Sequence, residues 1–207
     1  MRNRITGRIV HRLKRLIPLA VLIVAACDDP FGPQLWDATP DTVTLFSASR
    51  PEYIGRVSAV DIVSTPLVAL LPIEAPGLTG NWDFALTDSN GGLSLVPASA
   101  FAGLESRARI GVLPNRTLEE VTQAPRDTTA AAWPPLSAPY GVEPVPLVAG
   151  NVYIVRSRRA SCFGGSASGY RYAKLRPVEI NVAAGTYRFE IVRNPICDNR
   201  SFVPPEE

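Results

Sequence analysis

Hydrophobic and polar positions alternate most regularly near the end of the chain. Val178, Ile180 and Val182 alternate with polar or small neighbours, Ala184-Gly185 turns the chain, and Tyr187, Phe189 and Ile191 alternate back. A period of two puts successive side chains on opposite faces, so this stretch predicts a β-hairpin. Residues 81–96 repeat the pattern. Trp82, Phe84 and Leu86 alternate with Asp83, Ala85 and Thr87, and Leu93 and Leu95 return after Asp88-Ser89-Asn90-Gly91-Gly92. That turn supplies the positive φ a tight hairpin needs.

Less regular segments fill in the rest. Residues 42–46 are rich in β-formers and end at a Ser/Pro break, and 53–63 continue with β-branched residues around Gly55. Residues 67–73 are a short apolar run that suits either a strand buried on both faces or a short helix. Strands are also predicted over 107–113, over 152–158 after a Gly150-Asn151 turn, and over 170–174. One helix start is legible at 117–123. Thr117 and Glu120 fit a capping box, and Glu119 and Glu120 suit the positive end of the dipole. Pro125 stops that helix within about two turns. Residues 124–146 then hold six prolines in 23 positions, a density no central strand or helix accepts. They predict a long, partly polyproline loop carrying Trp133 and Tyr140. No internal repeat is visible. Short strands, frequent turns and almost no helix predict an all-β, mainly antiparallel fold: a β-sandwich or small barrel with one short helix and a long Pro-rich loop.

The beginning of the chain follows a different pattern. Residues 1–15 carry six basic groups and no acid, and 16–26 are eleven residues without a charge. A helix needs roughly 20 apolar residues to cross a bilayer, so the run is too short to span. A basic segment, a short apolar segment and small residues describe a secretory leader. Its end, Val24-Ala25-Ala26-Cys27, resembles the lipobox of bacterial lipoproteins. The resemblance implies a diacylglycerol on the Cys27 sulfur, cleavage before Cys27, and acylation of the new amino group. It also implies a membrane partner through that anchor, on the outer face of the inner membrane or on the outer membrane. In some bacteria an aspartate after the lipidated cysteine, here Asp28, goes with inner-membrane retention. The other reading is an ordinary leader cut after Ala26, with Cys27 incidental. The resemblance covers the leader and Cys27 alone. The organisation expected is a signal peptide over 1–26, a lipidated N-terminus and Pro/Asp-rich tether over 27–41, and a single β-rich domain over 42–207. Trp36 in the tether either docks on the domain or sits at the membrane surface.

Removing the leader changes the charge. The chain has 21 basic and 19 acidic residues, and the leader holds six of the basic ones. The remainder is 15 against 19, a net charge of −4. The basic balance of the whole chain belongs to the leader, and no nucleic-acid partner is expected. The single histidine, His11, leaves with it. Ser-His-Asp, Cys-His and HExxH chemistry are thereby excluded for the mature chain, and no metal or other cofactor is expected. Lys174 is its only lysine. With Cys27 taken by lipid, Cys162 and Cys197 are left to pair in an oxidising compartment; two thiolates without histidine make a poor zinc site.

Two kinds of chemistry remain conceivable. Residues 161–169 form a Gly/Ser-rich loop flanked by Arg156, Arg158, Arg159 and Arg171. It lacks the lysine and following helix of a phosphate-binding loop. The arginines either contact an anion or glycan or lie on solvated strand faces. Asp83, Asp88, Glu179 and Glu190 could supply paired carboxylates for glycoside hydrolysis, but Asp83 and Glu190 fall on polar strand faces. Trp133 and Tyr140 could offer aromatic contact area on an exposed loop, or fold back onto the core. The function expected is a lipid-anchored envelope protein, a non-enzymatic binding or structural β-domain whose partner is an envelope protein or glycan. The alternative is an envelope hydrolase using carboxylates.

Overall fold

The computed structural model describes residues 36–64, 68–73, 80–101, 104, 106–126, 140–162 and 168–206. Residues 1–35, which hold the expected leader and Cys27, lie outside them, as do Trp133 and the centre of the Gly/Ser-rich loop. Among the described residues there are twelve strands: β1 (Asp41–Phe46), β2 (Ala59–Asp61), β3 (Ala69–Leu71), β4 (Phe84–Ser89), β5 (Gly92–Pro97), β6 (Arg109–Leu113), β7 (Val145–Pro146), β8 (Val152–Arg156), β9 (Ala160–Ser161), β10 (Ser168–Gly169), β11 (Tyr172–Asn181) and β12 (Thr186–Asn194). They form one five-stranded sheet in the order β1-β12-β11-β8-β6, a second in the order β3-β2-β4-β5-β7, and a β9-β10 ribbon. Every pairing is antiparallel. The all-β, antiparallel sandwich expected from the pattern is the fold.

The two long hairpins form as the alternation predicts. At the β4–β5 turn Asn90 (φ 51°) and Gly91 (φ 78°) both take positive φ, the two-residue turn that matches strand twist. At the β11–β12 turn, Gly185 (φ 64°) lies against the Arg50 guanidinium, which donates to the carbonyls of Val182 and Ala183 at 2.7 Å each. A side chain at that position would displace the arginine.

Val43, Leu45, Phe84, Leu86, Tyr153, Leu175, Tyr187 and Phe189 meet between the sheets. Tyr187 stacks on Phe189 at 4.7 Å, and Phe189 reaches Phe84 of the other sheet at 6.2 Å. The outer faces are covered as well. Leu118, Val121, Tyr140 and Phe202 lie over the first sheet, with Trp36 and Ala38 packed beside them. Trp36 thus docks on the domain. Trp82 stands over the second sheet, edge-on to Phe101 at 5.1 Å. Coverage on both sides explains why all five residues of β8 are buried.

Several expectations are corrected. Residues 53–63 are not one strand: a 3-10 turn (Pro51–Tyr53) and a bend at Gly55 precede β2. β3 is not buried on both faces; it is an edge strand with Leu70 43% exposed. The strands expected at 170–174 and 178–182 are one strand, β11, whose register shifts between Pro177 and Glu179. Pro177, which has no N–H, stands next to that shift and beyond Leu175, where the pairing of β11 with β8 ends.

The helix expected at 117–123 is a turn. The capping bonds do form: Glu120 N–H donates to Thr117 Oγ1 (3.3 Å), and Thr117 N–H to Glu120 Oε2 (2.9 Å). Lys174 then takes over. Its Nζ donates to the carbonyls of Leu118 (2.7 Å) and Val121 (3.0 Å). A helix would offer the Val121 carbonyl to the N–H of residue 125, which is a proline. Lys174, the one lysine among the described residues, is therefore a buried clamp, and burial pulls its pKa below the usual lysine value. Lys174→Met keeps the stem but leaves two buried carbonyls without a donor. A loss of about 1–3 kcal/mol is expected in urea unfolding, with unchanged stability refuting the clamp.

Candidate functional site

Strand register gathers most of the candidate residues at one end of the sandwich. Arg109, Arg156, Tyr172 and Asn194 lie side by side across β6, β8, β11 and β12. The chain leaves β8 there through Arg158 and Arg159, enters β11 through Arg171, and leaves β12 toward Cys197. β1 begins at the same end, with Asp41 opposite Ile191. Cys162 and Cys197 form the expected disulfide, with Cα atoms 5.8 Å apart. It ties the β9–β10 ribbon to the segment after β12. Asp198 adds to that tie, accepting the Tyr170 N–H at 3.0 Å. A structural disulfide points to an oxidising, exported compartment.

Beneath this end lies a buried polar cluster. Asp83, expected on a solvated face, is fully buried. It sits one residue before β4, where the chain turns inward and the alternation of Trp82 with Phe84 no longer applies. Its carboxylate accepts the N–H groups of Ile62 (2.8 Å) and Arg158 (2.6 Å) and lies 3.4 Å from the Arg158 guanidinium. The same guanidinium donates to Asp61 at 2.9 Å. Asp61 also accepts from Ser64 Oγ (2.6 Å) and from the Val63 N–H (2.8 Å). Burial pushes the Asp83 carboxyl up to about 6, although Arg158 and the two N–H groups pull the other way. Burial acts on Asp61 too, but there the hydrogen bonds from Arg158 and Ser64 outweigh it and hold the group below its ordinary value. One arginine thus faces two carboxyl groups whose pKa values are moved in opposite directions.

Two more arginines cross between the sheets. Arg171 donates to the Val63 carbonyl and Arg193 to that of Ser64. Arg158, Arg171 and Arg193 thus grip residues 61–64 of the opposite sheet. Arg158 and Arg171 were candidates for an outward anion contact; the structure turns both inward. Arg159 remains exposed. Tyr140 is buried, with its hydroxyl 3.2 Å from the Pro125 carbonyl it donates to. Asp61 and Arg193 were not singled out from sequence. Asp61 carried one readable sign: a Ser three positions on, the spacing of an Asp-initiated turn.

The remaining carboxylates are scattered. Asp88, at the far end of β4, is held by Arg50 (2.8 Å), Ser47 (2.6 Å) and Ser49 (3.2 Å). The Arg50 hydrogen bond, chiefly, pulls it down to about 2. It lines a shallow groove of about 570 Å³ with Thr87, Ser89, Ser99, Phe101 and Glu143. Glu190 pairs with Arg176 (2.5 Å) and Glu179 with Arg188 (3.5 Å). Asp83, Asp88, Glu179 and Glu190 each answer to a different arginine. No two of them share a bond partner, and none is left as a free acid beside a free base.

Among the described residues no helix is long and apolar enough to cross a membrane. No protein-family model matches the chain, and no curated protein matches it.

Proposed function

We propose that the mature chain is an exported β-sandwich, held by lipid on Cys27 at the outer face of a bacterial membrane. It acts there by binding an envelope protein or glycan, or as a structural part of the envelope. One observation carries the reading: the disulfide uses Cys162 and Cys197, leaving Cys27, at the end of the lipobox-like Val24-Ala25-Ala26, as the one cysteine without an assigned partner. A single acyl chain holds a protein only marginally, whereas a diacylglycerol with or without a third chain anchors it stably. Nine residue steps separate Cys27 from Trp36, where the domain begins. At about 3.5 Å per residue they reach no further than roughly 30 Å. The domain therefore stays close to the headgroups. Its ionisable groups support binding or structure over hydrolysis, because the carboxylates that could have formed an acid–base pair are committed to arginines.

Metabolic labelling with a fatty-acid analogue tests the anchor. The wild-type chain is expected to carry label, and Cys27→Ala to lose it and move to the soluble fraction. Equal labelling of the two would sink the reading.

A further inference from the structure

Arginine is distributed unevenly between the two ends of the sandwich. Toward the β11–β12 turn, Arg50, Arg176 and Arg188 are each paired with a carboxylate, Arg56 lies over the Phe46 ring, and Arg116, beyond the end of β6, is exposed without an ion pair to a described residue. At the disulfide end, strand register and hydrogen bonds gather Arg107, Arg109, Arg156, Arg158, Arg159, Arg171, Arg193 and Arg200, and Arg126 lies two residues beyond Ala124, whose carbonyl accepts from Arg200. The aspartates placed there in the same way are Asp37, Asp41, Asp61, Asp83 and Asp198. Among the described residues so placed, nine arginines therefore meet five acids, in a mature chain whose net charge is −4. Asp61 and Asp83 are buried against Arg158, so they do not screen the surface. Arg107, Arg126 and Arg159 are exposed. None of the three makes an ion pair with a described residue.

The described chain also enters the sheet at this end: Trp36 packs on the outer face of the first sheet, and β1 starts five residues later. A chain of nine residue steps cannot carry an anchored Cys27 around to the opposite end of a sandwich whose longest strand has ten residues without using most of its roughly 30 Å reach. We propose that the tether end is a contact face for anionic phospholipid headgroups, with Arg107, Arg126 and Arg159 meeting lipid phosphates. The inference rests on the anchor reading of Cys27. Lipid holds the domain near the bilayer, and the arginines set which way it faces. Each basic group close to an anionic leaflet shifts such an equilibrium roughly fivefold, and arginine forks match phosphate oxygens. The interaction is strongest within a Debye length, about 10 Å at 0.1 M salt.

The full lipidated protein is reconstituted into vesicles of phosphatidylcholine alone or mixed with phosphatidylglycerol, and backbone hydrogen exchange is followed. Protection at residues 107–109, 126 and 158–160 is expected in the anionic vesicles only. It should fade in high salt and drop more than tenfold in a chain carrying Arg107→Gln, Arg126→Gln and Arg159→Gln. Equal protection in both vesicles, none in either, or protection at the β11–β12 turn instead would overturn the proposal. So would the same protection from inorganic phosphate without vesicles, which would assign the arginines to a soluble anion. Flotation with the neutral vesicles reports the anchor alone, so a failed anchor and a failed contact face give different results.

Discussion

Replacing Cys162 and Cys197 with serine is expected to lower folding stability by about 3–4 kcal/mol. The two cysteines are 35 residues apart in sequence, and closing a loop of that length removes about that much entropy from the unfolded chain in the simple cross-link model. For a domain of this size the corresponding fall in Tm is on the order of 10 °C. The loss should show locally before it shows globally. The β9–β10 ribbon has only two residue pairs, and besides the disulfide it is held, among the described residues, only at its flanks, by the bonds between Tyr170 and Asp198 and between Arg171 and Ser157. Hydrogen exchange at 160–161 and 168–169 should therefore rise first in the double serine variant, while the β11–β12 hairpin keeps its protection. A loss below about 1 kcal/mol would mean that residual structure in the unfolded state already holds these segments together. It would remove the disulfide from the list of main stabilising features.

The legible parts of the fold were those whose signal is local. Asn90-Gly91 and Ala184-Gly185 mark turns through backbone conformations that few residues accept, and the flanking alternation sets the register. The pairing of Cys162 with Cys197 was also legible, because removing Cys27 left one combination. What stayed hidden depends on contacts between distant segments. Both sheets are covered on their outer faces, so β8 shows no polar face, and alternation misplaces the residues beside β4. The helix at 117–123 failed for a similar reason. Its capping bonds formed as the local sequence specifies, but Lys174, 53 positions after Val121, took the carbonyls that would have carried it on. At the candidate site the residue types were visible and their direction was not. Arg158 and Arg171 flank a flexible loop and look outward in the sequence. In the fold they turn inward, because the carbonyls of 62–64 and two buried aspartates from the other sheet lie within reach.

Asp83→Ala is expected to be the most damaging single substitution in the domain, at about 3–5 kcal/mol. Three separate losses add. The Ile62 and Arg158 N–H groups lose their acceptor, and a buried donor left unmet costs about 1–3 kcal/mol. The Arg158 guanidinium keeps Asp61 but loses the second carboxylate that balances it, and an undercompensated buried charge is costly. A small cavity is also left where the sheets meet. Asp83→Asn separates these losses by pH. The Asp83 pKa is raised by burial from 3.8 to about 6 in the folded chain. A group of that kind gives stability that is fully present below its unfolded value and is lost as pH rises through its folded value. The stability of wild type minus that of Asp83→Asn should therefore be larger near pH 4 than near pH 7. The difference should fall by on the order of 3 kcal/mol across that window and stay flat above it. Paired urea titrations of the two proteins over this range measure it directly. A difference independent of pH would show that Asp83 keeps an ordinary carboxylate pKa, and that Arg158 and the two N–H groups outweigh the cost of burying it. The substitution would then act through its hydrogen bonds alone. The clamp between the sheets would be a network of fixed charge rather than one that loosens as Asp83 ionises.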